Sequence, residues 1–276
     1  MATMQAGNFF KTALSKGSGS SLGYWQMTPS ANISRMLARV PSCDWVLLDC
    51  EHGDIDDRDM RECVPAIASA GASPIVRIPS TEPWLIKRAL DAGAHGLEKI
   101  LVPLLRTAQE AEDIVKAAKF PPMGIRGFGS PYAMDRFNPM PTSDEYLQQA
   151  NDSLLTMVQI ETQSALDNLE EIAAVDGIDV LFVGPFDLGN SIGHPIINGE
   201  IKPELRTAIY KILEVCHKAG KKCGVYTGSG ERAKEYIEAG FDMVHVGTDH
   251  TILEIAMTAE MTTAQGKAEG ERRLSY

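Results

Sequence analysis

Short apolar runs alternate along this chain with longer stretches in which apolar residues return every third or fourth position. The runs at 23–27, 45–50, 74–78, 96–102, 154–160, 180–184, 222–227 and 243–247 are mainly apolar, and several are rich in Val, Leu and Ile. Runs of this length and composition read as strands buried on both faces. Between them, Ile33, Met36, Leu37 and Val40 fall on helical spacing, as do Met60, Val64, Ile67 and Ala68. Trp84, Leu85, Arg88 and Ala89 mark a third helix, entered through Thr81-Glu82-Pro83 with proline in the first turn. Helical patterns continue at 108–118, 165–173, 205–219, 231–239 and 251–261. Four helix ends read Ala-Gly, at 70–71, 92–93, 219–220 and 239–240. Glycine there is the expected left-handed cap.

Strand–helix units repeated eight times with short connections predict a TIM (β/α)8 barrel. The barrel is placed at 21–264, with 1–20 as an N-terminal extension or helix and 265–276 as a polar tail. A doubly wound sheet is the structural rival, but no GxGxxG follows the first strand. The longest irregular stretch, 120–141, follows strand four and is expected over the barrel mouth. Glu98 and Lys99 interrupt strand four, which predicts a bulge there.

Composition narrows the partners. With 26 basic and 37 acidic residues the net charge is −11, which argues against nucleic acid and anionic membranes. No apolar run approaches the roughly 20 residues of a membrane span. The 5 cysteines are odd in number and form no CxxC pair. They read as reduced thiols of a cytoplasmic protein.

The candidate chemistry sits just after the apolar runs. In a parallel barrel that is the end where active sites are built. Glu161 and Asp187 follow adjacent strands, five and six, and two such carboxylates suit Mg²⁺ or Mn²⁺ with waters completing the shell. The rival reading is that Glu161 merely begins a helix, where acids favour the dipole. Asp49 and Glu51 share a side of strand two if it extends that far, and both could order metal-bound water. His52 beside them is the candidate general base. Arg77, inside an apolar strand, needs an ion partner or a ligand. It is read as either a barrel salt bridge or a cation for an enolate oxygen. Asp91 could orient His52, although its position alone favours a helix-end acid. His95, His194, His217, His245 and His250 carry weaker signals, and no HExxH spacing appears.

Taken together, Asp49-x-Glu51-His52, Val76-Arg77, Leu90-Asp91-Ala92-Gly93-Ala94, Gly124-x-Arg126-Gly127, Gln159-Ile160-Glu161-Thr162 and Gly184-Pro185-x-Asp187-Leu188 resemble the HpcH/HpaI aldolase family. The resemblance spans about residues 25–251. It implies a metal-dependent carbon–carbon lyase acting on 2-oxo acids through a pyruvate enolate, by oxaloacetate decarboxylation or aldol cleavage of 4-hydroxy-2-oxo acids. Glu161 and Asp187 would bind the metal, and Asp49 and Glu51 would order its water. Arg77 would stabilise the enolate, and His52 paired with Asp91 would move protons. Trp25, Gln159, Gly184, Pro185 and Phe186 would line the substrate site, with Arg126, Ser130 and Tyr132 as further candidates. A homohexamer with exchanged C-terminal helices is also implied. The segment from Gly127 to Ala133, with Phe186 and Gly189-Asn190, resembles the fungal branch that includes macrophomate synthase. That branch makes a carbon–carbon bond-forming synthase the alternative, with a non-catalytic 2-oxo-acid-binding barrel ranked below it. Phe186 departs from the alanine usual after the Gly-Pro pair, which is expected to narrow the mouth.

Overall fold

The computed structural model describes residues 4, 14, 19–93, 99–134, 137 and 140–266. Its strands are β1 (Ser21–Gln26), β2 (Trp45–Asp49), β3 (Ser73–Arg77), β4 (Lys99–Val102), β5 (Leu155–Ile160), β6 (Val180–Val183), β7 (Lys222–Val225) and β8 (Met243–Thr248). They pair in sequence order and in parallel to close a barrel. Around it run α1 (Ala31–Ala38), α2 (Asp57–Ser69), α3 (Pro83–Asp91), α4 (Ala108–Ala118), α5 (Ser143–Ser153), α6 (Gln163–Asp167) and α7 (Leu169–Ala173). The ring of helices is completed by α8 (Pro185–Ser191), α9 (Pro203–Lys218), α10 (Gly230–Ala239) and α11 (Asp249–Ala264). The fold predicted from periodicity is therefore the one observed. Among the described residues no helix is long and apolar enough to cross a membrane.

Strand alternation divides the core into two shells. Trp45, Leu47, Ile75, Leu101, Met157, Phe182 and Met243 point inward and fill the barrel. Val46, Leu48, Val76, Val158, Leu181 and Val183 point outward and pack under the helices. At Gly224 a Cβ would collide with the Phe182 ring, so that aromatic fills the space of both strands. This packed floor leaves the barrel open only toward the strand ends, where polar side chains take over.

Local signals explain the helices. Asp56 and Asp59 form a capping box at α2, and Thr107 with Glu110 does the same at α4. The glycines predicted as helix caps have positive φ: 94° at Gly71, 73° at Gly93, 72° at Gly220 and 97° at Gly240.

Three places depart from the sequence expectation, one of them α8, which begins where the sequence reads only a Gly-Pro turn. Helix α5 follows the irregular stretch and was not anticipated, because Tyr146, Ala150 and Ser153 are all that it buries. Its one local sign is the capping box of Thr142 and Glu145. The pattern at 165–173 is two short helices that break at Asn168.

Lys99–Val102 runs in even register with β5. The rest of the strand-four expectation, Gly96 to Glu98, lies outside the described residues, as do His95, most of the N-terminal extension and the tail from 267. The recorded register shift is instead at the seam of β1 and β8, between Gly23 and Tyr24. Buried Asp249 fastens that seam: its carboxylate accepts the Met27 N–H at 3.1 Å and the Thr28 N–H at 2.9 Å.

Candidate active site

Asp49 and Arg77 are the fixed centre of the mouth. They end β2 and β3, stand opposite each other in register, and both point inward. Arg77 Nε donates to Asp49 Oδ1 at 2.9 Å and Nη2 to Oδ2 at 2.6 Å. Trp25 Nε1 adds a bond to Oδ2 at 3.0 Å, and the Glu51 and His52 N–H groups bond Oδ1 at 3.0 and 3.2 Å. Burial alone would raise the Asp49 carboxyl, but the Arg77 and Trp25 bonds outweigh it and hold the group below the usual carboxylate range. The second face of Arg77 meets Glu51, with Nη1 3.0 Å from Oε2. The guanidinium also lies over the Trp25 ring, 4.9 Å from its centroid.

Across the barrel, Glu161 follows β5 and is buried. Its Oε1 accepts the Leu104 N–H at 2.7 Å, and its Oε2 meets Gln159 Nε2. Leu104 adopts a left-handed backbone, φ 57°, to make this bond. Burial raises the Glu161 carboxyl to about 7, with the nearby Asp187 and Glu51 charges adding to it. Glu51 is raised by burial too, against the pull of Arg77. Gly184 closes over this corner. A Cβ there would run into the Glu161 and Gln159 side chains, so only glycine lets β6 pass so close. Asp187 follows in the first turn of α8, solvent-exposed, where an acid suits the helix dipole.

Beside these residues lies one cleft of about 530 Å³. Trp25, Asp49, His52, Arg77, Gln159 and the Gly184–Asp187 segment line it, together with Met27, Tyr226 and His250. The acids outnumber the one guanidinium, and Gln159 Oε1 is buried without a hydrogen-bond donor. A surplus of carboxylates with an orphan carbonyl oxygen is the donor set of a hard divalent cation. Among the described residues no group of three or more His, Cys, Asp or Glu side chains forms a metal cage. A divalent ion would here rest on two carboxylates, Glu161 and Asp187, with waters completing its shell.

The other sequence candidates fall elsewhere. His52 sits at the rim, 60% exposed, with Nε2 3.9 Å from Glu51 Oε1. Asp91 does not reach it within this chain. Its carboxylate takes Arg126 Nη2 at 3.1 Å, while its backbone carbonyl takes the Ser130 hydroxyl at 2.9 Å. Arg126 is buried against Tyr146 Oη and the Phe120 ring, so it anchors the irregular loop and does not line the cleft. Tyr132 is exposed on the same loop, its N–H bonded to Ser130 Oγ.

Met27 and Tyr226 escape the sequence reading as site residues, and His250 enters it only among the weaker histidines. Tyr226 follows β7, and His250 stands in the first turn of α11 beside Asp249, to whose carboxylate its N–H donates. Their positions after strands seven and eight were the available sign.

A family model described as HpcH/HpaI aldolase/citrate lyase matches residues 25–255. The chain is 38% identical over 250 residues to a 2-dehydro-3,6-dideoxy-6-sulfogluconate aldolase of Pseudomonas putida, covering 91% of this chain and 94% of that one. A crystal structure of an HpcH/HpaI aldolase/citrate lyase family protein from Burkholderia cenocepacia superposes with a TM-score of 0.84 at 34% identity, covering 94% of this chain and 99% of that one. Macrophomate synthase superposes with a TM-score of 0.79 at 24% identity, over 98% of this chain and 94% of that one, which is a likeness of fold.

Proposed function

Because the chain belongs to the HpcH/HpaI aldolase/citrate lyase family, we propose that it is a carbon–carbon lyase acting on 2-oxo acids through a pyruvate enolate. The observation that carries the reading is the pairing of opposites around one cleft. Buried Glu161 and exposed Asp187 stand on one side, and Arg77, locked by Asp49, stands on the other.

Glu161 and Asp187 would hold Mg²⁺ or Mn²⁺. When bound, the ion supplies Lewis-acid stabilisation of charge on the 2-oxo oxygen. The backbone N–H groups of Phe186 and Asp187, in the first turn of α8, would receive the substrate carboxylate. Arg77 adds a second positive charge where the enolate oxygen develops, and its two carboxylate partners keep it from reorienting as that charge appears. Trp25 closes the floor beneath the substrate and excludes water. His52 would take the hydroxyl proton in aldol cleavage, with Glu51 beside it. Asp49 acts through Arg77, since each of its oxygens is already committed to protein donors. Asp91 would support the site through the loop it ties to Arg126.

The direct test strips the protein with EDTA, restores Mg²⁺ or Mn²⁺, and follows oxaloacetate loss and pyruvate release beside Glu161→Ala. Metal-dependent turnover that the variant lacks supports the reading. Turnover equal to the variant, with 4-hydroxy-2-oxo acids also inert, overturns it.

A second reading, a macrophomate-synthase-like enzyme, is supported by the Gly127–Ala133 wording and by the Phe186 ring at the mouth. Product analysis with pyruvate enolate and a pyrone acceptor tests it. An assembly of several subunits is supported by α11, which leaves Ile252, Leu253, Met257 and Met261 exposed.

A further inference from the structure

The cleft has a neighbour. A second cavity of about 90 Å³ is lined by Ile196, Ile201, Thr227, Ser229 and Arg232. That is several times the roughly 10–15 Å³ that one water occupies. Pro185, Phe186 and Tyr226 line both spaces. With Pro185, the two aromatic side chains thus stand between the two spaces. They meet edge to face, with centroids 6.0 Å apart at 76°.

The halves of this partition differ in firmness. Tyr226 stacks on His245 at 4.1 Å and meets Trp25 edge-on at 5.3 Å. Its hydroxyl lies 3.0 Å from Thr248 Oγ1. Phe186 is half-buried and has no polar atom to tether it. Its ring can leave the partition without breaking a hydrogen bond. The two spaces also differ in charge. The cleft holds Asp187 beside the Asp49–Arg77 ion pair, whereas Arg232 stands in the second cavity. The Arg232 Nη2 donates to the Gly199 carbonyl at 3.3 Å, and its Nη1 is 3.8 Å from Glu235 Oε2.

We propose that Phe186 and Tyr226 set the length of substrate the enzyme accepts, by closing the cleft from a cavity whose far end receives an anion at Arg232. The proposal rests on the lyase reading above. With the rings in place the enzyme takes short aldehydes as the partner of pyruvate. With the Phe186 ring removed, the two cavities join, and a longer chain bearing a terminal carboxylate fits best.

The test measures kcat/KM for aldol addition of pyruvate to acetaldehyde, pentanal and glutaric semialdehyde. Wild type should favour acetaldehyde. Phe186→Ala should raise the pentanal-to-acetaldehyde ratio about tenfold or more, and Phe186→Leu by less. The ratio is internal to each protein, so a general loss of activity does not move it. In the Phe186→Ala background, Arg232→Gln should abolish the preference for glutaric semialdehyde over pentanal. An unchanged pentanal-to-acetaldehyde ratio in both Phe186 variants overturns the partition, and an anionic preference that survives Arg232→Gln overturns the role of the arginine. Exchange of the pyruvate methyl protons in D₂O with Mg²⁺, read by NMR on the wild type, separates the two levels. If exchange is absent, the lyase reading falls and this proposal with it. If it is present and the ratios do not move, only the proposal falls.

Discussion

Asp49 and Arg77 face each other in register across β2 and β3 and exchange two hydrogen bonds in a site where the Asp49 side chain is 0% and the Arg77 side chain 8% exposed. A bidentate pair so far from water has one partner's charge as the other's solvation. Removing one leaves the other stranded. Asp49→Ala should cost about 3–5 kcal/mol of stability by urea denaturation at pH 7. A loss below about 1 kcal/mol would show that Glu51 alone suffices to hold the guanidinium.

The glycine over Glu161 gives a sharper probe. Gly184→Ala puts a methyl group against the Glu161 and Gln159 side chains. The fold should survive, because β6 is otherwise secured by its pairing with β5 and β7. Mn²⁺ affinity, read by electron paramagnetic resonance, should fall about tenfold or more as Glu161 is pushed aside. Unchanged affinity would remove Glu161 from the proposed metal site.

His52 should separate two reactions. Aldol cleavage requires removal of a hydroxyl proton, and decarboxylation of oxaloacetate does not. His52→Ala is expected to lower aldol kcat by about 10²–10⁴-fold while oxaloacetate decarboxylation persists. Equal loss of both activities would refute this division of labour.

Acid stability should report His245. Burial pushes this imidazole down to about 4, against its hydrogen bonds to the Thr227 and Gly247 backbone. Between that value and the 6.5 of an unfolded histidine, the unfolded chain takes up a proton that the folded chain refuses. Its contribution is therefore complete above about pH 6.5 and lost as pH falls toward 4, on the order of 3 kcal/mol in all. His245→Gln should flatten the stability profile between those limits. A slope identical to wild type would show that other groups govern the acid limb.

What could be read from the chain and what could not follow a physical line. Strands such as Val180–Val183 are buried on both faces, so composition alone marks them. Asp49, Arg77 and Glu161 were visible because charge inside an apolar run demands a partner. Asp91 was visible as a candidate, but its partner depends on the path of the loop that carries Arg126, and no period encodes that path. Tyr226 was missed, and His250 ranked low, because an aromatic or histidine after a strand carries no such demand. Helix α5 was missed because its surface is mostly polar, which leaves little periodicity to detect.

The clasp formed by Asp249 has a consequence for biosynthesis. It is made in the last β/α unit, yet its partners Met27 and Thr28 leave the first strand, beside Trp25. The first-made and last-made parts of the protein thus meet at the mouth. A nascent chain emerging from the ribosome can build most of its strands in order, each on the one before, and still lack a working cleft. Activity should arrive late and all at once, when the final strand docks. A ribosome-stalled chain ending before Met243 should be inert however well its earlier strands have paired.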